Sequence, residues 1–229
     1  MALADELKNE VSAIISTTWK VRDGIVVPEA EDVPLGNQAV KLTATVLYAD
    51  LAESTSLVQS YEAPFPAEIY KCYLHCAAKI IRDEGGEITA YDGDRIMAVF
   101  IGDIKNTPAA RSALKITYAV TYIINPFLQS FYKIPFALQH AVGIDTSDLF
   151  VARTGIRGSN DLVWVGRAAN YAAKLSTFRE PPYSSFITAD VYNQLQSSLK
   201  QSNGKPMWER RTWKAQGLTV YRSNWWWRL

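Results

Sequence analysis

Lys41-Leu42-Thr43-Ala44-Thr45-Val46-Leu47-Tyr48-Ala49-Asp50 runs apolar and β-branched and then stops on an acid. Such a run is expected to form a buried strand that ends at Asp50. Downstream, Ser54-Thr55-Ser56 offers hydroxyls to cap a helix. A longer helix is expected over 66–82, stopped by Gly85 and Gly86. Residues 87–91 and 96–100 read as two strands joined by a turn at Gly93-Asp94, a hairpin. A helix over 108–131, a strand over 136–144, short strands near 149–153 and 162–165, and a helix over 167–178 follow. The tail from Trp208 alternates enough for a last hairpin, with Trp225-Trp226-Trp227 expected to pack under the sheet. Upstream, Leu3, Leu7, Val11, Ile14 and Ile15 recur at helical spacing over 1–19, and a loop with Pro28, Pro34 and Gly36 leads into the first strand. The order predicts an α+β fold of ferredoxin-like character, an antiparallel-rich sheet with helices packed on one face. Residues 1–40 are expected to form an N-terminal helix and loop, and 41–229 one domain.

The bulk numbers exclude several classes. With 24 Lys and Arg against 23 Asp and Glu, the chain carries no net field to recruit nucleic acid or an anionic membrane. No signal peptide is visible, and no run approaches the roughly 20 apolar residues of a membrane helix. The best candidate, 116–128, contains Asn125 and Pro126 and reads as a buried helix. Cys72 and Cys76 lie four apart in a helical segment, where they are expected to be small core residues and not a disulfide. A soluble, cytoplasmic protein is expected.

Asp50 closes a buried strand and Asp94 sits in the turn of the next hairpin. If the strand pairs beside that hairpin, the two carboxylates converge, and they repel unless a cation lies between them. Hard oxygen donors suit Mg²⁺ or Mn²⁺, which in turn suit triphosphates. Either acid taken alone serves equally well as the cap of its turn. The loop from Leu51 through Thr55 to Ser56 has the form of a phosphate cradle at a helix start, or of an ordinary cap. In Gly166-Arg167-Ala168-Ala169-Asn170-Tyr171-Ala172-Ala173-Lys174, Asn170 and Lys174 share one helical face. An amide there could hold a ribose oxygen and an ammonium a phosphate; a solvated polar face is the alternative.

Taken together, these residues resemble the class III adenylate and guanylate cyclases. Val46 through Leu57 resembles that family's first metal motif, and Gly85 through Phe100 its second. Val142-Gly143-Ile144, the 166–175 helix and the hairpin around Lys214-Ala215-Gln216-Gly217 match its later elements in the same order. The resemblance implies that Asp50, Asp94 and the Leu51 carbonyl bind two divalent metal ions, Mn²⁺ or Mg²⁺. It implies that Asn170 orients the ribose, that Lys174 stands in for the transition-state arginine, and that Thr55 touches substrate. Sites shared between the two halves of a homodimer are implied as well.

The departures concern the base. Where adenylate cyclases keep a lysine this chain has Ala90, and where they keep an aspartate or threonine it has Val163. Neither can hydrogen-bond a base edge, so the adenine-reading pair is gone. The pattern is similar to the bacterial pyrimidine cyclases of antiphage defence, whose cyclic UMP or cyclic CMP switches on a separate effector protein. The donor-rich neighbours Arg95, Arg167 and Tyr91 favour uracil, hence UTP, and Tyr48 and Arg95 are candidate nucleotide contacts. The rivals are a cytidylate cyclase, an ordinary adenylate or guanylate cyclase, and a degenerate nucleotide-binding module. A diguanylate cyclase would need a different turn from Asp92-Gly93-Asp94-Arg95.

Overall fold

A computed structural model describes residues 2–229. In chain order the elements are α1 (Leu3–Ser16), β1 (Lys20–Asp23), β2 (Gln38–Leu51), α2 (Ser54–Ser60), α3 (Pro64–Asp83), β3 (Glu87–Asp92) and β4 (Arg95–Phe100). There follow α4 (Asn106–Ala119), α5 (Asn125–Tyr132), β5 (His140–Ile156), β6 (Ser159–Val165), α6 (Arg167–Leu175), β7 (Ser185–Thr188) and α7 (Ala189–Asn193). The chain closes with the short strands β8 (Gln201–Ser202) and β9 (Lys205–Pro206), then the hairpin β10 (Glu209–Trp213) and β11 (Leu218–Ser223).

The sheet is organised by its two longest strands. β2 and β5 pair antiparallel from Ala39↔Ala152 to Leu51↔His140. Along its free edge β2 carries first β1, in parallel, and then β4. β5 likewise carries β7 near its start and β6 further along. The main order is β10-β11-β7-β5-β2-β4-β3. Side chains alternate across a strand, so β2 feeds two cores. Leu47, Ala49 and Leu51 face the helical layer of α3 and α4, with Ile69, Tyr73, Ile81, Leu114 and Ile116. Val40, Leu42, Ala44 and Val46 face the other way, against Ala168, Ala169 and Ala172 of α6.

Helices therefore cover both faces, which corrects the one-faced sandwich expected from element order. Three alanines on α6 are small enough for the helix to lie close on the sheet, and Gly143 of β5 completes the fit. A Cβ at Gly143 would collide with the Ala172 carbonyl and the Ser176 amide. Gly143→Ala is expected to cost about 1–3 kcal/mol by overpacking, since neither backbone group can rotate away. A denaturant midpoint equal to that of the native chain would show instead that α6 shifts freely.

Other elements differ from expectation in detail. The strands expected at 136–144 and 149–153 are one strand, β5, running through Ser147 and Asp148, which pair with Ala44 and Thr43. The helix expected over 108–131 is split by a wider turn, Val120–Ile124, before Pro126. At α2 no side-chain cap forms; Glu53 precedes the helix with φ of 58°. Cys72 is exposed and Cys76 half-buried, and both are free. Trp225 and Trp227 pack on the helical core, where the Trp227 amide donates to the Leu114 carbonyl at 3.1 Å. Trp226 lies outside it, against Tyr118 and Tyr122. Helix α1 buries none of its residues, and its apolar stripe is open to solvent.

Candidate active site

Asp50 is the penultimate residue of β2 and is only 4% exposed. Its register partner on β4 is Arg95, the residue after Asp94. The β3–β4 turn is tight because Gly93 takes φ of +60°, a conformation that favours glycine. Strand register and turn thus place Asp94 in the turn next to Arg95, the residue that pairs with Asp50.

Two guanidinium groups hold the Asp50 carboxylate. Arg95 Nε donates to Oδ1 at 3.3 Å, and Arg179 Nη2 donates to Oδ2 at 3.0 Å. The same Nη2 donates to the Leu51 carbonyl at 2.9 Å, while Nη1 donates to the carbonyls of Ser176 and Phe178. Tyr73 is fully buried, and its hydroxyl has no hydrogen-bond partner among the described residues. Burial raises its pKa well above the ordinary value, and the Asp50 and Asp94 carboxylates add to the rise.

Among the described residues, no cluster of three or more His, Cys, Asp or Glu forms. Asp50 and the Leu51 carbonyl nonetheless supply two oxygens that face one point. One carboxylate oxygen of Asp50 and the Leu51 carbonyl already converge on a single cationic group, the Arg179 guanidinium. Hard oxygen donors of this kind fit Mg²⁺ or Mn²⁺.

The remaining expected residues lie on several elements. Tyr48, two residues before Asp50 and so on the same face of β2, is half-buried opposite Gly143. Burial raises its pKa, Arg95 opposes the rise, and Asp92 adds to it, so the phenol stays protonated at neutral pH. Thr55 is exposed in the first turn of α2. Asn170 and Lys174 are exposed on α6, and no hydrogen bond described joins either to Asp50 or Asp94. Ala90 and Val163 lie on different strands, opposite Met97 and Ala152, and both are exposed. Their neighbours Thr89, Leu162 and Trp164 line a cleft of about 370 Å³. Tyr91 is exposed.

Arg167 is not free to read a base. It donates to the buried Asp145 carboxylate, to the Thr146 carbonyl and to Asp190, strapping the start of α6 to β5 and α7. Arg179 carries no motif in the sequence. Its only trace there is a cation just beyond the expected end of a helix and just before Pro181-Pro182.

His140, paired with Leu51 across the sheet, is buried beside the Tyr73 ring and 3.4 Å from the Thr117 hydroxyl. Burial first, and the Arg179 charge second, lower its pKa to about 3. The unfolded chain gains this proton below its ordinary value of 6.5, whereas the folded chain does not until about 3. Stability therefore falls as pH drops through that window, by up to about 1.4 kcal/mol per pH unit. His140→Gln is expected to flatten the stability profile between pH 6.5 and about 5, above the range where carboxylates dominate. An unchanged slope there would remove His140 as the source.

A long antiparallel strand pair, helices on both faces, and acids at a strand end and in the next hairpin define the catalytic fold of the class III nucleotidyl cyclases. A bacterial light-regulated adenylyl cyclase shares this fold at a TM-score of 0.68 and 20% identity, over 81% of this chain and 52% of that one. No protein-family model matches. Several curated relatives cover the chain almost end to end. A uridylate cyclase of Xanthomonas perforans is 52% identical over all of both chains, and one of Burkholderia cepacia is 53% identical over 99% of each. The chain belongs to the uridylate cyclase family of nucleotidyl cyclases.

Proposed function

We propose that the protein converts UTP to 3′,5′-cyclic UMP and pyrophosphate. The observation that carries this is the cation seat of Asp50 and the Leu51 carbonyl, in a chain similar over its full length to uridylate cyclases. The ribose 3′-oxygen attacks the α-phosphorus, and the bond from that phosphorus to the β-phosphate oxygen breaks. Pyrophosphate leaves with the electron pair, and the hydroxyl proton passes to solvent. Divalent ions, Mn²⁺ or Mg²⁺, held by Asp50, Asp94 and the Leu51 carbonyl, would neutralise the triphosphate and acidify the 3′-hydroxyl. Asn170 positions the ribose, Lys174 stabilises charge on the reacting phosphate, and Thr55 contacts the phosphates. The protonated Tyr48 phenol and Arg95 are donors suited to the two carbonyl acceptors of uracil. Ala90 and Val163 offer a purine edge nothing to bond.

Asn170 and Lys174 are exposed on α6, and among the described residues neither hydrogen-bonds to Asp50 or Asp94; the working unit is a homodimer in which they serve the other copy's acids. The uncovered apolar stripe of α1 is consistent with self-association. Among the described residues no helix is long and apolar enough to cross a membrane. We place the activity in the cytoplasm, which suits the two free thiols. The product is a messenger for a separate effector in antiviral defence, a reading supported by the resemblance to antiphage pyrimidine cyclases. Phage challenge of expressing cells should raise cyclic UMP; protection that persists without that rise would sink the messenger role.

The function itself is tested by incubating the protein with Mn²⁺ and each of ATP, GTP, CTP and UTP, and resolving products by mass. Cyclic UMP from UTP is expected. Cyclic CMP in its place would reassign the base, and cyclic AMP or GMP would overturn the reading of Ala90 and Val163.

A further inference from the structure

We infer that Arg179 is a resident cation in the metal seat, which it leaves for the triphosphate when metal and nucleotide enter together. The inference rests on the proposed metal role of Asp50. Nη2 of Arg179 lies 3.0 Å from Asp50 Oδ2 and 2.9 Å from the Leu51 carbonyl oxygen, in the space an ion bound to both would fill. Each oxygen keeps a second lone pair, but two cations cannot occupy that one space, so an ion bridging both oxygens displaces the guanidinium. With Arg95 on Oδ1, the buried carboxylate already faces two positive groups, and a divalent ion arriving alone meets like charge.

The surroundings permit a swing of the side chain alone. The following residue, Glu180, is tied to Arg222 by an ion pair and to Tyr183 by a backbone bridge. Nη1 is held by the carbonyls of Ser176 and Phe178, where the end of α6 attracts a cation. The Arg179 side chain itself is 37% exposed, so it can exchange these bonds for others at the mouth of the site. A triphosphate is the anion that arrives there, and the guanidinium fork matches phosphate oxygens. Metal and nucleotide binding are then coupled. The nucleotide-free protein binds metal weakly, and UTP brings the ion in while supplying the displaced arginine with a new partner. Linkage makes the coupling reciprocal.

The test is Mn²⁺ titration of the nucleotide-free protein, read by electron paramagnetic resonance of the free ion, beside steady-state kinetics with UTP. Arg179→Gln is expected to bind Mn²⁺ about tenfold more tightly than the native chain while its KM for UTP rises by a similar factor. Arg179→Lys, whose single ammonium cannot bridge both oxygens as the fork does, should lie between them and also serves if the Gln variant does not fold. Asp50→Asn separates the two ideas. If it abolishes Mn²⁺ binding while both Arg179 variants titrate like the native chain, the metal seat stands and the resident-cation role is overturned. If Asp50→Asn binds Mn²⁺ as the native chain does, the metal reading fails and takes this inference with it.

Discussion

Asp50→Ala should abolish cyclic nucleotide formation, lowering the initial rate at saturating UTP and Mn²⁺ by about a thousandfold or more. The expectation follows from where the strand ends. β2 delivers one nearly buried carboxylate to a position opposite Arg95 and beside the β3–β4 turn. No third acid among the described residues can take its place. Its loss leaves two guanidiniums facing each other across the seat, and the site turns from cation-binding to cation-repelling. The fold should survive, because Arg95 and Arg179 have side chains 33% and 37% exposed and can regain solvent. Thermal melting run beside the assay separates these effects. A variant that melts like the native chain but makes no product fits the reading. A variant that keeps its rate would remove Asp50 from the chemistry.

That site was legible in the sequence to an uneven degree, for physical reasons. The run ending at Asp50 and the hairpin turn at Gly93-Asp94 are local patterns, and register then sets Asp50 opposite Arg95, the residue after Asp94. The sequence reads β5 as two strands, 136–144 and 149–153, leaving Ser147 and Asp148 between them. They are tolerated in a strand because the Asp148 carboxylate accepts a bond from the Thr43 hydroxyl across the ladder. The placement of α6 on the second face depends on Gly143 and on three alanines, and small residues announce close approach without naming the partner. Arg179 and Arg167 show the limit most clearly. Arg179 reaches an aspartate 129 residues earlier, a contact no local pattern encodes. Arg167, which looks like a free donor, is consumed by Asp145, whose own burial raises its pKa and whose charge is offset by this pairing and by the Thr188 hydroxyl.

An equal mixture of Asp50→Ala and Asn170→Ala chains, unfolded and refolded together, should regain activity that neither variant has alone. The expectation turns on the separation of the two residue sets. Asp50 lies at the end of β2, held by arginines of its own chain, while Asn170 and Lys174 stand on the exposed side of α6. If each site joins the acids of one subunit to the α6 pair of the other, a mixed dimer has one site carrying both lesions and one carrying neither. Random assortment makes half the dimers mixed, each with one intact site, so about a quarter of native activity returns. Asn170→Ala alone should lose about a hundredfold, the scale of a lost positioning contact. The Asp50→Ala chain alone should be inactive. If the mixture only averages its components, each site lies within a single chain, and Asn170 must reach Asp50 by a movement of α6.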